Sequence, residues 1–557
     1  MIVGDKLAEI LTDIGVEYVF GVPGGQTLPL YEGIRKLEGR IGHVLMRDER
    51  SAGFAADAYA RVTGRAGVCD ATVGPGATNL VSAMAEAYCS SIPVIAIISD
   101  ISTTWEHLRE RGNASQAMRQ LEMFSTCSKW QVRITDPRAL ENTIERAFRV
   151  ATTGKPGPVV VSVPDNIARA DFNFRDREIS ASGSVYPGSR SAPDPEDVDR
   201  AAHAILGANR PALVVGGGAH ISGSYQKVKD LAEHLSAAVI TSISGKGIIE
   251  ETHPQAFGVT GTFGNPVARE VMRDADLILF IGCKAGQLTT FGYQIPGKNT
   301  PVVHLDSDPE EIGRIFGNSF PLVGDANMGI DSIMNTLVDT KPTVNWDFKS
   351  YKKMHEQWVK DITSQVIGSE GRLRPQAVMG VVNKALTDDD MVVCDASLSS
   401  GWAASLLHFP TAGRNIIAPR GLAGLGWGSP ATVGAAMALK KKKRVLQFAG
   451  DGGFAYSVAE LEVMNRLGLP VVSFVFNNDT FGWIKHSQKN YYRENYISVD
   501  FAHIDFGTVA KGFGARGYTV KNLDELQEAL DQEKSPQGPA VIEIVADQWE
   551  TPVQGPK

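Results

Sequence analysis

The sequence predicts an α/β protein built from three doubly wound parallel-sheet domains. Strand-length apolar runs alternate with amphipathic helical stretches along nearly the whole chain. Runs such as residues 92–98 are apolar throughout, as befits parallel strands buried on both faces. Several of the runs end in glycine turns, among them Gly74-Pro75-Gly76, Gly216-Gly217-Gly218 and Gly450-Asp451-Gly452-Gly453.

The first domain spans residues 1–164. Residues 6–14 read as an amphipathic helix, 18–20 as a strand, 28–37 as a helix and 42–46 as a strand, and the alternation continues from there. Residues 165–194 are polar and rich in Ser, Arg and Pro without periodicity, which reads as a linker. A second domain, 195–341, opens with a helix, and its first strand enters Gly216-Gly217-Gly218; further strands are 277–281 and 302–305. A second linker, 342–375, is helical and amphipathic in places. Residues 376–547 repeat the strand–helix alternation, and 548–557 read as a tail.

At 557 residues the chain is too long for one core. Its net charge of −8 (55 basic, 63 acidic) lacks the basic excess of a nucleic-acid binder. Five scattered cysteines form no CxxC or Cys/His cluster, so neither a disulfide framework nor a zinc site is expected. The first ten residues carry Asp5, Lys6 and Glu9 and no signal-peptide apolar core, and no apolar run reaches membrane-spanning length. A cytoplasmic protein with no membrane and no nucleic-acid partner is the expectation.

Two strands in the last third end in oxygen ligands suited to a hard cation. Residues 445–449 lead into Gly450-Asp451-Gly452-Gly453, and residues 471–476 lead into Asn477-Asn478. The 27-residue interval between Asp451 and Asn478 (478 − 451) fits one strand–helix–strand crossover, which sets the two ends side by side. A carboxylate and an amide oxygen there suit Mg²⁺, with positions left for phosphate oxygens. A Gly-Asp-Gly triplet alone also makes tight turns; two amides at the end of the next strand favour the metal. In the first domain, Glu49 opens a helix whose Ala52, Ala55, Ala56 and Tyr59 form a small apolar face. It reads either as a first-turn charge favouring the helix dipole or as a buried carboxyl group tuned for proton transfer. Gly74-Pro75-Gly76-Ala77-Thr78-Asn79 is a rigid turn entering a helix, which either holds a planar ligand or only turns the chain.

Together these motifs resemble the thiamine-diphosphate (ThDP) enzymes, and within them the acetohydroxyacid (acetolactate) synthase catalytic subunits. The resemblance also takes in Phe20-Gly21-Val22-Pro23-Gly24-Gly25, Lys129-Trp130, Gly157-Pro158-Val159, His304-Leu305-Asp306 and residues 421–428. It implies pyrimidine-binding, central Rossmann-like and diphosphate-binding domains. It implies that Glu49 hydrogen-bonds the aminopyrimidine and favours the tautomer that takes the thiazolium C2 proton. Asp451, the Asn478 side chain and the Thr480 carbonyl would hold Mg²⁺. Pro23, Gly25, Pro75, Asn79, Ser397, Ser399, Leu425, Gly450, Gly452 and Gly453 would line the cofactor. Ser399 is placed in the loop after the strand 391–394, and Leu425 either props the cofactor or is simply core. The implied reaction is decarboxylation of a 2-oxo acid with carboligation of the bound carbanion to a second carbonyl. The alternatives are a simple decarboxylase or C–C lyase, a flavin-dependent pyruvate-oxidase-like enzyme, and a non-catalytic relative. A homodimer is the implied minimum and a homotetramer is also open, as is a regulatory subunit. FAD on Gly216-Gly217-Gly218 and Asp306 stands beside a structural-spacer reading of the central domain.

Gln26, Gln116 and Ser487 are the expected substrate residues, and they depart in part from the synthase pattern. Gln26 replaces a small residue, Ser115-Gln116 stands for Phe-Gln, Ser487 replaces a tryptophan, and Leu398-Ser399-Ser400 replaces Gln-His-Gln. A polar Gln26 beside the reacting centre changes which acceptor fits. Lys485, His486 and Arg111 are candidates for binding an anionic substrate group, against the reading of each as a solvated surface charge.

Overall fold

The computed structural model describes residues 1–175, 179–180, 183–317 and 319–553. Parts of the first linker and residues 554–557 of the expected tail lie outside the described residues. Three six-stranded sheets follow one another along the chain, and every strand pairing in them is parallel. The expected three parallel sheets are therefore present. The reason is visible in burial: strands such as Val94–Asp100 and Val471–Asn477 are buried along their whole length, so both faces must be covered.

The first sheet comprises β1 (Tyr18–Gly21), β2 (Gly42–Leu45), β3 (Gly67–Ala71), β4 (Val94–Asp100), β5 (Trp130–Arg133) and β6 (Val159–Pro164). Their order is β2-β1-β3-β4-β6-β5. The winding direction reverses between β1 and β3. The second sheet comprises β7 (Pro211–Val215), β8 (Ala238–Thr241), β9 (Ala256–Val259), β10 (Leu277–Ile281), β11 (Val302–Asp306) and β12 (Ser319–Val323), in the order β12-β11-β10-β7-β8-β9, with its reversal between β7 and β10. The third comprises β13 (Asp390–Cys394), β14 (Ile416–Ile417), β15 (Arg444–Gly450), β16 (Val471–Asn477), β17 (Arg516–Val520) and β18 (Ala540–Val545). Its order is β14-β13-β15-β16-β18-β17, reversing between β13 and β15. In open sheets of this kind the crevice at the reversal, beyond the carboxyl ends of the strands, takes the ligand.

Two compact units are formed. One contains residues 1–189, 419–442 and 456–469; the other contains 190–418, 443–455 and 470–557. In the first unit, helix α1 (Val3–Ile14) puts Leu7, Ile10 and Leu11 into a core with Ile95, Ile97 and Val161. In the second unit, the rings of Phe448 and Phe474 stack 5.0 Å apart at the centre of the third sheet's core. The 342–375 stretch contains the helix Phe348–Ser364, which has no buried residue but rests Trp358 and Ile362 on that core. Residues 548–553 run against the same unit: Glu550 accepts from Arg374 and Gln376, and Val553 packs on the core.

Candidate functional site

The first unit gathers its candidate residues at the reversal between β1 and β3. Helix α3 (Glu49–Thr63) is capped by Asp48, whose Oδ1 accepts from the amides of Arg50 at 2.7 Å and Ser51 at 3.3 Å. The sequence suggested one apolar face on α3, but every residue from Ser51 to Arg61 is buried. Small side chains permit this. A Cβ on Gly53 would come within 2.5 Å of Ala83 in helix α4 (Pro75–Ser90), and one on Gly434 would come within 2.0 Å of the Ala55 carbonyl. The helix is thus clamped between α4 and the helix Gly428–Ala438.

Glu49, by contrast, is half-buried within this chain, between the exposed first-turn charge and the buried carboxyl group that the sequence left open. Its Oε2 accepts from Asn79 Nδ2 at 2.9 Å, and a Cβ on Gly76 would sit 3.0 Å from its Oε1. Pro23 and Gly25, on the loop after β1, and Pro75 and Asn79, at the start of α4, are all exposed. Gln26 is half-buried, and its Oε1 accepts from the Thr72 hydroxyl at 3.1 Å. Gln116 is exposed with φ 62°, and its backbone lies against Gly74: a Cβ there would come within 2.5 Å of the Gln116 carbonyl. Gly74 N–H donates to Gln120 Oε1 at 3.1 Å, and Gln120 in turn donates to the Ser99 carbonyl at 2.6 Å.

Leu425 is half-buried in the loop before the helix Gly428–Ala438. That loop is held from below. Glu86, 1% exposed, accepts the amides of Gly421, Leu422 and Ala423 at 3.1, 2.7 and 2.9 Å, and Arg61 at 3.2 Å. Arg61 also pairs with Asp57, 0% exposed, which accepts from the Trp427 indole at 2.9 Å. Burial raises the Asp57 carboxyl above its ordinary range, against the Arg61 charge. Sequence reasoning missed Thr72, Glu86 and this network. Asp57 and Arg61 were legible as an i,i+4 pair on α3; no local signal marks Thr72.

The second unit gathers the others at the reversal between β13 and β15. Asp451, at the end of β15, is 5% exposed. Its Oδ1 accepts from the Gly452 amide at 2.7 Å and its Oδ2 from the Asn478 amide at 3.2 Å. The crossover spacing therefore did bring the two strand ends together. Burial pushes the Asp451 carboxyl up to about 6, with the Gly452 N–H opposing. The two amides divide their roles. Asn477 turns inward and donates to Glu543 at 2.6 Å and the Ile504 carbonyl at 2.8 Å, while Asn478 stays half-buried beside Asp451. Thr480 spends its hydroxyl on the Val499 carbonyl at 2.8 Å. A Cβ on Gly450 would meet nothing within 4 Å, so the strand end opens into free space. Gly452 and Gly453 follow in the short helix Asp451–Ala455.

Ser397 follows β13 with φ 77°, a conformation disfavoured for a side-chain-bearing residue. Ser399 is not in a loop: it lies in the first turn of the helix Leu398–Leu406 and is buried, its hydroxyl 3.5 Å from the Ala396 carbonyl. Neither reading of Lys485 as a solvated charge or a free anion ligand holds. It is buried, pairs with Asp500 at 2.7 Å, donates to Gln548 at 2.7 Å and lies over the Trp549 ring. His486 faces the Glu550 carbonyl at 3.2 Å. Arg111 is exposed, with φ 55°.

The donor set fits Mg²⁺ and a diphosphate. Asp451 has no cationic side chain paired with it among the described residues, and the backbone N–H of Asn478 ties it to the next strand end, whose side-chain amide could supply a neutral oxygen. No group of three or more His, Cys, Asp or Glu forms a metal cluster among the described residues, so a soft or transition-metal centre has no counterpart there. In the second sheet the reversal is closed by backbone: a Cβ on Gly216 would come within 2.3 Å of the Gly282 carbonyl, and one on Gly218 within 2.8 Å of Gly282 Cα. Asp306 ends β11 with its Oδ1 taking the Asp308 amide at 3.0 Å. No helix among the described residues is long and apolar enough to cross a membrane.

Three family models match in order. They are the thiamine pyrophosphate enzyme N-terminal TPP binding domain at residues 1–123, the central domain at 198–333 and the C-terminal TPP binding domain at 395–544. Among similar proteins is a probable acetolactate synthase large subunit of Methanocaldococcus jannaschii, 31% identical over 500 residues, covering 88% of this chain and 82% of that one. The acetolactate synthase large subunit of Parasynechococcus marenigrum is 31% identical over 504 residues, covering 88% and 78%. That of Haemophilus influenzae is 30% identical over 494 residues, covering 88% and 84%. With two separate switch-point sites matched by the two TPP-binding domains, the chain belongs to the thiamine pyrophosphate enzyme family and is a ThDP-dependent enzyme.

Proposed function

We propose that this protein decarboxylates a 2-oxo acid and joins the retained carbon to a second carbonyl compound, with ThDP and Mg²⁺ as cofactors. The observation that carries the proposal is the Asp451–Asn478 contact: a buried carboxylate without a cationic partner, tied at 3.2 Å to the next strand end and facing open space above Gly450. Asp451, Asn478 and the Thr480 carbonyl would hold Mg²⁺. Gly452 and Gly453 would present backbone N–H groups to the diphosphate, and Ser397 and Ser399 would border it.

When bound, ThDP supplies the carbon nucleophile and the electron sink for decarboxylation. The chain's own residues do the rest. Glu49 would be the group that exchanges a proton with the pyrimidine ring of bound ThDP, and Asn79 fixes its carboxylate through a 2.9 Å bond. The 421–427 loop, anchored on Glu86, presents Leu425 to the cofactor. Gln26 and Gln116 face the substrate. For the central domain we propose a structural role without FAD, since packing against Gly282 already accounts for its glycine run.

The working unit is at least a homodimer. The support for this is the family resemblance, which implies an active site shared between two chains; Glu49 and Asp451 lie in different compact units of the chain. The test is turnover against a panel of 2-oxo acids with ThDP and Mg²⁺, with products identified. Ligated hydroxy-oxo products are expected. Aldehyde alone would convert the reading to a simple decarboxylase, and flavin absorbance in the purified protein would overturn the central-domain assignment.

A further inference from the structure

We propose that Thr72 is a positioning residue that holds the Gln26 amide with its NH₂ toward the substrate, and that this NH₂ binds the carboxylate of the incoming 2-oxo acid. The inference rests on the 2-oxo acid reading above. The two residues come from the two loops that flank the reversal of the first sheet, after β1 and after β3. The Thr72 hydroxyl donates to Gln26 Oε1 at 3.1 Å, which occupies the acceptor end of the amide. No described residue takes a hydrogen bond from Nε2, so the donor end is the unengaged one.

Thr72 is itself rigidly seated. A Cβ on Gly24 would come within 2.3 Å of its hydroxyl oxygen, and its carbonyl accepts the Ala77 amide at 3.0 Å in the first turn of α4. It also stands beside the proton-handling carboxylate: a Cβ on Gly76 would sit 3.0 Å from both Thr72 Cγ2 and Glu49 Oε1. Behind Gln26 there is a cavity lined also by Thr27, Leu30, Asp70, Ile97 and Ser99. That cavity holds about 20 Å³, room for one water, so a Gln26 amide released from Thr72 loses its fixed orientation instead of withdrawing there. The Thr72 bond is what keeps the NH₂ forward. A fixed amide donor suits a carboxylate oxygen, and a hydrogen bond to a charged group that is made or lost changes affinity by about 10- to 100-fold.

The experiment measures kcat and KM of the holoenzyme for a 2-oxo acid and for a carboxylate-free 1,2-diketone. It uses wild type, Gln26→Ala, Gln26→Glu, Thr72→Val, Thr72→Ala, Thr72→Ser and the double variant Gln26→Ala/Thr72→Val. Gln26→Ala and Thr72→Val should each raise the 2-oxo acid KM by about 10-fold or more, and the double variant should be no worse than either. Thr72→Ser should return to near wild type, and in Gln26→Ala and Thr72→Val the KM for the diketone should rise by a smaller factor than that for the 2-oxo acid. Gln26→Glu keeps an acceptor for Thr72 but presents an anion, so it should reject the 2-oxo acid more strongly than Gln26→Ala. Unchanged melting and ThDP affinity in Thr72→Val or Thr72→Ala exclude a folding origin. Independent, additive effects of the two sites, or a Thr72→Val enzyme that behaves as wild type, would overturn the Thr72 assignment alone. A wild-type enzyme inert to every 2-oxo acid would overturn the proposed function and this substrate assignment together.

Discussion

Asn79 Nδ2 donates to Glu49 Oε2 at 2.9 Å, joining the second turn of α4 to the first residue of α3. The two residues lie 30 positions apart, and only the pairing of the β1–β3 sheet region with its two following helices brings them together. Glu49→Gln keeps the contact through its amide oxygen and removes the proton-transfer function. Turnover should fall by about 10²- to 10⁴-fold, the usual worth of one positioned proton-transfer group. ThDP binding, followed by fluorescence quenching, should stay within a few-fold of wild type. Wild-type turnover in this variant would remove Glu49 from the mechanism.

Asp451→Ala removes the one carboxylate of the proposed Mg²⁺ set. In wild type, saturating ThDP with Mg²⁺ should raise stability by about 2.7 kcal/mol at a hundredfold excess over Kd. In the variant this ligand-induced rise in Tm should vanish, as it should for wild type in excess chelator. The ligand-free Tm should move little, because removing a buried charge without a cationic partner offsets the loss of its bonds to the Gly452 and Asn478 amides.

Asp57→Ala should be among the more damaging single changes in the first unit. It withdraws the main carboxylate from the buried Arg61 and leaves the Trp427 indole N–H without its 2.9 Å acceptor. Breaking a buried pair from one side costs about 3–5 kcal/mol. Trp427→Phe, which loses only the hydrogen bond and some packing, should cost about 1–3 kcal/mol. Denaturant unfolding of the three proteins gives the order directly.

Acid should destabilise the second unit through its buried histidines. His220 faces the Lys246 carbonyl at 3.0 Å and the Tyr225 hydroxyl at 3.1 Å, and burial, aided by the Arg414 charge, pushes it down to about 3. In the unfolded chain it titrates near 6.5. The unfolded state therefore binds this proton first, and stability is lost as pH falls from about 6.5 toward 3. His220→Gln, which keeps a donor and an acceptor but cannot titrate, should show a shallower fall in unfolding free energy across that window. An unchanged slope would assign the acid loss to other groups.

Much of the site was legible locally. Gly450-Asp451-Gly452 and Asn478 were readable because a strand end, a crossover length and a hard-ligand pair are all short-range features, and the structure joins them at 3.2 Å. Glu49 was readable as the first residue of a helix, but its exposure was not, because burial of a carboxylate depends on what the rest of the molecule sets over it. Asn477 and Lys485 show the converse. Both looked available for ligands, yet Glu543 and Asp500 consume them, and those partners lie 66 and 15 residues away. Ser399 was misplaced because the helix Leu398–Leu406 starts immediately after the strand turn, without a capping side chain to announce it.

The sequence by itself determined the three parallel sheets and the types of group at each strand end, because periodicity, glycine turns and ligand chemistry are encoded within a few residues. Only the tertiary structure decided which strand ends meet. The order β2-β1-β3 and the order β14-β13-β15 each open a crevice at their reversal, where Gln26 meets Thr72 and the end of β13 meets that of β15. The same kind of reversal between β7 and β10 is closed by Gly216 against Gly282. Strand order and backbone approach are long-range properties of packed layers, and no window of sequence contains them.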